Sequence, residues 1–302
     1  MKRRFLVAVP FFLCALAIPS ISDAGQGSAN VVRPRIDLTQ MTRATTVVPL
    51  ALVTPAMAQN IGPGSHLLID IPGAGTFGCT ANFVWTSGGT RYLGAAGHCF
   101  LPEGMTATHG PGADYNASGV QVSVCVSNCS FGGESGFVLT GNLVSLGAVA
   151  YARQTAADGD VGNDFGVVAI PASLASRIRT SMPVFGGPTT IASVTQGQPL
   201  CHYGNGVVVG ETFLTMARIG VGTGSTPNSW MGDLIAAPGD SGSAVVTCGV
   251  SGTEVHGQGA AGVLTHLAVV VGTEHGVVFG TTTSRAIAMG REAGLSLTVV
   301  FP

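Results

Sequence analysis

The sequence predicts an all-β fold of two packed barrels, followed by a C-terminal helix and a last strand. Three observations predict it. Hydrophobic residues make up 46% of the 302 positions and glycine fills 45, whereas charged residues make up only 9%. Many short strands joined by glycine turns suit that mixture; long solvated helices do not. From Ser65 onward, short apolar runs are bounded by Gly, Pro, Asn and Ser, which is the rhythm of a barrel or sandwich. The runs fall into two comparable series, and no strand-helix alternation or solenoid period interrupts them.

The chain begins differently. Lys2, Arg3 and Arg4 precede an apolar run from Phe5 to Ile18, broken at Pro10, and then a small-residue stretch from Pro19 to Ala24. That is the layout of a secretory signal peptide over residues 1–24. An uncleaved membrane anchor would want a longer run and a basic cluster behind it, and only Asp23 follows. Residues 25–61 carry no helical or strand period and read as a pro-segment or linker. An Ala-x-Ala pattern at Ala56 to Ala58 fits a second processing point, and an apolar strap lying on the domain fits equally well.

The folded unit spans 62–302, with barrels over about 62–180 and 181–302. The first series runs through "HLLIDIPG", "CTANFVW", "RYLGAAGHC", "VQVSVCV", "GFVLT", "LVSLGAVAYA" and "DFGVVAIP". The second runs through "TTIASVTQG", "LCHYGNGVVVGETFLTMARIGVG", "DLIAAPG", "SAVVTCGV", "AAGVLTHLAVVVG" and "GVVFGTT". In "TSRAIAMGREAG" apolar residues recur at helical spacing before a glycine stop, and "LSLTVVF" reads as the final strand.

Three of the 13 basic residues and one of the 15 acidic ones lie in residues 1–24, so the remainder is mildly acidic. Such a surface does not grip nucleic acid or anionic lipid through phosphates. Cys14 leaves with the signal, and Cys79, Cys99, Cys125, Cys129, Cys201 and Cys248 remain. An even count in an exported chain implies disulfides, and spacing alone does not choose among the fifteen pairings. A zinc site has little support, since only Cys125 and Cys129 are close together and no histidine flanks them.

The stretch "APGDSGSAVV", Ala237 to Val246, sets a serine between glycines, where it either turns into a buried strand or holds a nucleophile. A serine hydroxyl attacks only when an imidazole takes its proton and a carboxylate fixes that imidazole's tautomer. His98 in "AAGHC" and Asp164 in "NDFGVVAI" are the candidates. Asp158 and Asp160 compete with Asp164, but only Asp164 directly precedes an apolar strand, and Asp240 reads as a brace for the Ser241 turn.

"AAGHCF", "NDFGVV" and "PGDSGS", in the order His, Asp, Ser, resemble the chymotrypsin-like serine endopeptidases, particularly secreted bacterial ones of the streptogrisin and α-lytic type. The resemblance covers roughly Ser65 to the C-terminus and implies antiparallel Greek-key barrels. It makes His98 the general base and later acid, Asp164 its orienting partner and Ser241 the nucleophile. The N–H groups of Gly239 and Ser241 would form the oxyanion hole, and Thr265 would hydrogen-bond the buried aspartate. It pairs Cys79 with Cys99 and Cys201 with Cys248, leaving Cys125 and Cys129 to close the short loop "CVSNC". The expected enzyme is an extracellular or periplasmic monomer acting on proteins or peptides, with no metal or organic cofactor and no stable membrane association once the signal is gone. A catalytically silent binding protein on the same fold is the alternative.

Six residues before the serine, where trypsin-like members carry an aspartate, stands Ile235, so a basic P1 residue is not expected. Ile235, Ala236, Leu264, Thr265, His266 and Leu267 would line an apolar pocket. His266 keeps an acidic P1 in play, because glutamate-selective relatives place a histidine nearby, usually with hydroxyls beside it. Two departures stand out: the segment before the domain is much shorter than an α-lytic pro-region, and Ser243 stands where many animal members have glycine. An α/β-hydrolase would need Gly-x-Ser-x-Gly and the order Ser, Asp, His, neither of which is present.

Overall fold

The structure is a computed structural model, and it describes residues 7–9, 59–131, 139–155, 161–206, 216–236, 238–251, 254–269 and 276–302. The rest of the signal-peptide stretch, residues 25–58 of the linker, the Ala56 to Ala58 pattern, and Asp158 and Asp160 lie outside the described residues.

Strand β1 (Val7–Val9) pairs antiparallel with Leu267–Val269. The first barrel comes next, from β2 (His66–Ile71), β3 (Gly75–Thr80), β4 (Val84–Ser87), β5 (Thr90–Ala95), β6 (Gln121–Phe131), β7 (Leu139–Ser145), β8 (Val149–Arg153) and β9 (Phe165–Ile170). The second contains β10 (Thr190–Ile191), β11 (Pro199–Tyr203), β12 (Ala217–Ser225), β13 (Ser229–Asp233), β14 (Ala244–Ser251), β15 (Glu254–Val269) and β16 (Gly276–Thr282). Helix α1 (Thr283–Glu292) and β17 (Thr298–Val299) close the chain.

In the first barrel one sheet runs β3-β2-β6-β7 and the other β17-β4-β5-β9-β8. In the second, β15-β14-β11-β12-β13-β16 closes on itself because β16 also pairs with β15. A closed sheet leaves no unpaired edge around that ring, which stabilises short strands that would be marginal alone. The two-barrel expectation therefore holds. The apolar runs were less exact guides to strand ends: "TTIASVTQG" supplies only Thr190–Ile191, while the short β13, "SWMGD", carried no signal in the sequence.

The first barrel is filled by alternating inward residues such as Leu67, Ile69, Ile71, Val122 and Val124, all 0–2% exposed. A second cluster runs through Phe83, Trp85 and Phe165 to Ala286, Met289 and Leu297, so the C-terminal helix and the first barrel share a core. Trp85 stacks edge-on to Phe165 with centroids 5.1 Å apart, and its indole N–H donates to Asn82 Oδ1 at 2.9 Å. Thr282 caps α1 by accepting the Arg285 N–H, and β17 then returns to pair with β4.

Two fully buried histidines lie within these sheets, His66 on β2 and His202 on β11. Burial pushes each pKa down to about 4. The unfolded chain binds those protons near pH 6.5 and the folded chain does not, so stability is full above about 6.5 and drains away as pH falls toward 4. Urea unfolding at pH 4.5 is expected to show a loss of roughly 2–3 kcal/mol per histidine relative to pH 7. His202→Gln should remove about half of that pH dependence.

Candidate active site

β5 and β9 are paired neighbours, with Ala95 opposite Gly166, so the chain leaving β5 and the chain entering β9 meet at one end of the barrel. A 3-10 helix, Gly97–Phe100, succeeds β5 and carries His98, while Asp164 immediately precedes β9. His98 Nδ1 lies 2.7 Å from Asp164 Oδ2, and the His98 backbone N–H donates to Oδ1 at 3.0 Å. The Thr281 hydroxyl, from β16 of the other barrel, accepts the Asp164 N–H at 3.1 Å and donates to its carbonyl at 2.9 Å. Burial pushes the Asp164 carboxyl up, but His98 as a charge and as a hydrogen-bond donor, with His266 behind it, more than reverses this. The carboxyl is held below its ordinary value and is ionised at neutral pH. A carboxylate at Nδ1 fixes the proton there and leaves Nε2 with a lone pair.

Ser241 comes from the second barrel. Ser243 N–H donates to the Asp240 carbonyl at 2.9 Å, closing a four-residue turn whose third residue, Gly242, has φ of +92°. A Cβ on Gly242 would collide with the Thr80 carbonyl and sit 2.8 Å from Ala96 N, so only glycine lets this turn press against the strand leading to His98. Thr80 N–H donates to the Ser241 carbonyl at 2.9 Å, and Gly242 N–H to the Leu264 carbonyl at 2.7 Å. Asp240 turns inward, where Arg218 of β12 pairs with its carboxylate and Gly206 N–H donates to Oδ1 at 2.7 Å. Both partners are buried. Gly239, with φ of +101°, precedes this brace, and neither its N–H nor that of Ser241 has an acceptor among the described residues. The Ser241 hydroxyl and His98 Nε2 make no hydrogen bond with each other here; such a bond tightens in the Michaelis complex.

The pocket candidates divide. Ile235 is 39% exposed, and Ala236, His266 and Leu267 are partly so, whereas Leu264 and Thr265 are fully buried. Leu264 belongs to the second-barrel core with Trp230, Leu234 and Val278. His202 Nε2 donates to the Ile235 carbonyl at 3.0 Å and Nδ1 faces Ser243 Oγ at 3.3 Å, tying the Ile235 main chain to the serine turn. Thr265 does not hydrogen-bond the Asp164 carboxylate, contrary to the expectation. The β15–β16 register shifts between Leu264 and His266, which leaves Thr265 out of the ladder. Its hydroxyl instead meets His266 Nδ1 at 2.7 Å.

Disulfides join Cys79 to Cys99, Cys125 to Cys129 and Cys201 to Cys248. The first bolts the His98 helix to the end of β3. Cys79, His98 and Cys99 also form a compact group of metal-ligand types, but its two sulfurs are bonded to each other and offer no thiolate. Sequence reasoning missed Thr80, Asn205, Arg218 and Thr281. Arg218 had a signal: a lone cation inside the apolar run "TMARIGV" must find a counter-charge if that run is buried.

Two barrels with this strand order and a helix before the last strand define the chymotrypsin-like fold. The protease Anisep from Arthrobacter nicotinovorans is similar at 16% identity and a TM-score of 0.50, over 79% of this chain and 99% of that one. Thermobifida fusca protease A is similar at 18% identity and a TM-score of 0.45, over 80% of this chain and all of that one. Nocardiopsis protease stands at 19% and 0.44, with the same coverage. No protein-family model matches the sequence, and no curated protein matches it.

Removing one member of a buried ion pair strands the other charge, at about 3–5 kcal/mol. Arg218→Met should therefore lower the midpoint of thermal unfolding sharply, and Arg218→Met combined with Asp240→Leu should recover much of that loss in the same calorimetric scan. Gly242→Ala should cost about 1–3 kcal/mol of stability through its backbone alone.

Proposed function

We propose that the protein is a secreted serine endopeptidase that cleaves peptide bonds through an acyl-enzyme. The observation that carries the reading is the His98 imidazole bonded to a buried, ionised Asp164, with the Ser241 turn locked against the same loop. His98 Nε2 takes the Ser241 proton as Oγ attacks the scissile carbonyl carbon, and the C=O pair moves onto oxygen. The N–H groups of Gly239 and Ser241 hold that oxyanion. Collapse breaks the C–N bond, His98 gives its proton to the leaving amine, and water repeats the sequence to release the acid. Asp164 stays ionised throughout and stabilises the imidazolium. Neither metal nor organic cofactor is called for.

Substrates are extended segments of proteins or peptides, and Ile235, Ala236 and Leu267 favour an apolar P1 side chain. Three disulfides suit an oxidising compartment outside the cytoplasm, and no helix among the described residues is long and apolar enough to cross a membrane.

A fluorophosphonate probe, followed by peptide mapping, should place one adduct on Ser241; Ser241→Ala should abolish it and His98→Ala should slow it on the order of 10³-fold or more. Absence of any adduct on correctly oxidised protein, before and after trimming near Ala58, would leave the silent binding protein as the better reading. On matched peptide substrates, P1 Phe or Leu should exceed P1 Arg and P1 Glu by at least about 10-fold in kcat/KM.

A further inference from the structure

Asn205, on the loop after β11, is 6% exposed, and Thr80, at the end of β3, is fully buried. They meet at the back of the serine turn. The Thr80 hydroxyl lies 2.8 Å from the Gly239 carbonyl, 2.9 Å from the Asn205 backbone N–H and 3.1 Å from Asn205 Nδ2. Two of these three neighbours are N–H donors and the third is an acceptor. A hydroxyl has one proton and two lone pairs, so its polarity here is fully determined: it accepts both Asn205 donors and gives its proton to Gly239. The amide of Asn205 is held in turn, since Nδ2 also donates to the Gly64 carbonyl at 3.0 Å. Meanwhile the Thr80 backbone N–H holds the Ser241 carbonyl at 2.9 Å.

One residue of the first barrel thus grips the carbonyls on either side of Asp240, with its side chain on one and its main chain on the other. Gly239 is where such a grip matters. Its N–H belongs to the peptide shared with Pro238 and its carbonyl to the peptide shared with Asp240, and at φ of +101°, with no Cβ to restrict it, the Cα between them is a permissive hinge that lets the N–H take several directions relative to the serine turn. Fixing the Gly239 carbonyl removes much of that freedom before substrate arrives.

We infer that Thr80 is a positioning residue for the oxyanion hole: its hydroxyl, oriented by Asn205, pins the Gly239 carbonyl and with it one side of the Gly239 hinge, which limits the directions open to the Gly239 N–H. The inference rests on the protease reading. Thr80 touches no reacting atom, so its removal should weaken the hole less than the loss of a donor, which costs about 10²–10³-fold in kcat.

The test compares the wild type with Thr80→Val, Thr80→Ala and Thr80→Ser in the full, disulfide-bonded protein. A peptide substrate with P1 Phe reports kcat and KM, and a matched peptide aldehyde, which forms a tetrahedral adduct at the serine, reports transition-state complementarity. Thr80→Val and Thr80→Ala should each lose on the order of 10- to 100-fold in kcat with KM nearly unchanged. Aldehyde affinity should fall in parallel with kcat/KM across the series. Thr80→Ser, which keeps the hydroxyl, should recover activity to within a few-fold of the wild type. If Thr80→Val fails to fold, Thr80→Ala carries the same comparison. Unchanged kcat in folded Thr80→Val or Thr80→Ala, loss without recovery by Thr80→Ser, or aldehyde affinity that does not track kcat/KM would each overturn the inference while leaving the protease reading intact. A wild type inert to fluorophosphonate would instead overturn the protease reading, and this inference with it.

Discussion

His98 and Asp164 stand on the first barrel and Ser241 on the second, so the site exists only where the serine turn meets the strand end beside the Cys79–Cys99 disulfide. That meeting is backbone against backbone. Each hydrogen bond across it contributes only about 1 kcal/mol net, too little to hold two barrels together. The shared apolar core does that, through Phe83, Trp85, Phe165 and the buried face of α1. The hydrogen bonds set position: with no side chain on Gly242, the two main chains approach until their polar groups pair, and the pairing defines a single depth of approach.

Two buried carboxylates face different bases. Asp240 faces the Arg218 guanidinium and the Gly206 N–H, and the two together brace its turn. Asp164 faces the His98 imidazole, a ring with a second nitrogen that the carboxylate does not occupy. The same acid thus braces a turn or orients a ring according to the base set against it. Desolvation makes both arrangements costly to disrupt, because Asp164 or Asp240 left alone would be an uncompensated charge in an apolar surround.

Much of this was legible in the sequence for a local reason. A strand bounded by glycine, a histidine directly after "AAG" and a serine inside "GDSGS" are features of consecutive residues, and they survive being read one segment at a time. What was not legible depends on register. Thr265 lies beside a β-bulge, and nothing in "GVLTHL" says that the ladder slips there and sends its hydroxyl to His266. Thr80, Asn205 and Thr281 are ordinary polar residues at strand ends or in turns, distinguished only by what the other barrel brings to them. The strand β13 went unseen because five residues with polar ends show little alternation; its Trp230 is buried by pairing on both sides, with β12 and β16.

β17 does not belong to the barrel that precedes it in the chain; Thr298 and Val299 cross back to Thr86 and Trp85 of β4 and complete a sheet begun more than two hundred residues earlier. A polypeptide made from its N-terminus cannot finish its first barrel until Thr298 and Val299 have been added. The two barrels are consequently joined into one cooperative unit by topology, and a chain interrupted late in synthesis would present an open edge at β4. A finished first barrel, on this arrangement, is withheld until β17 has been made.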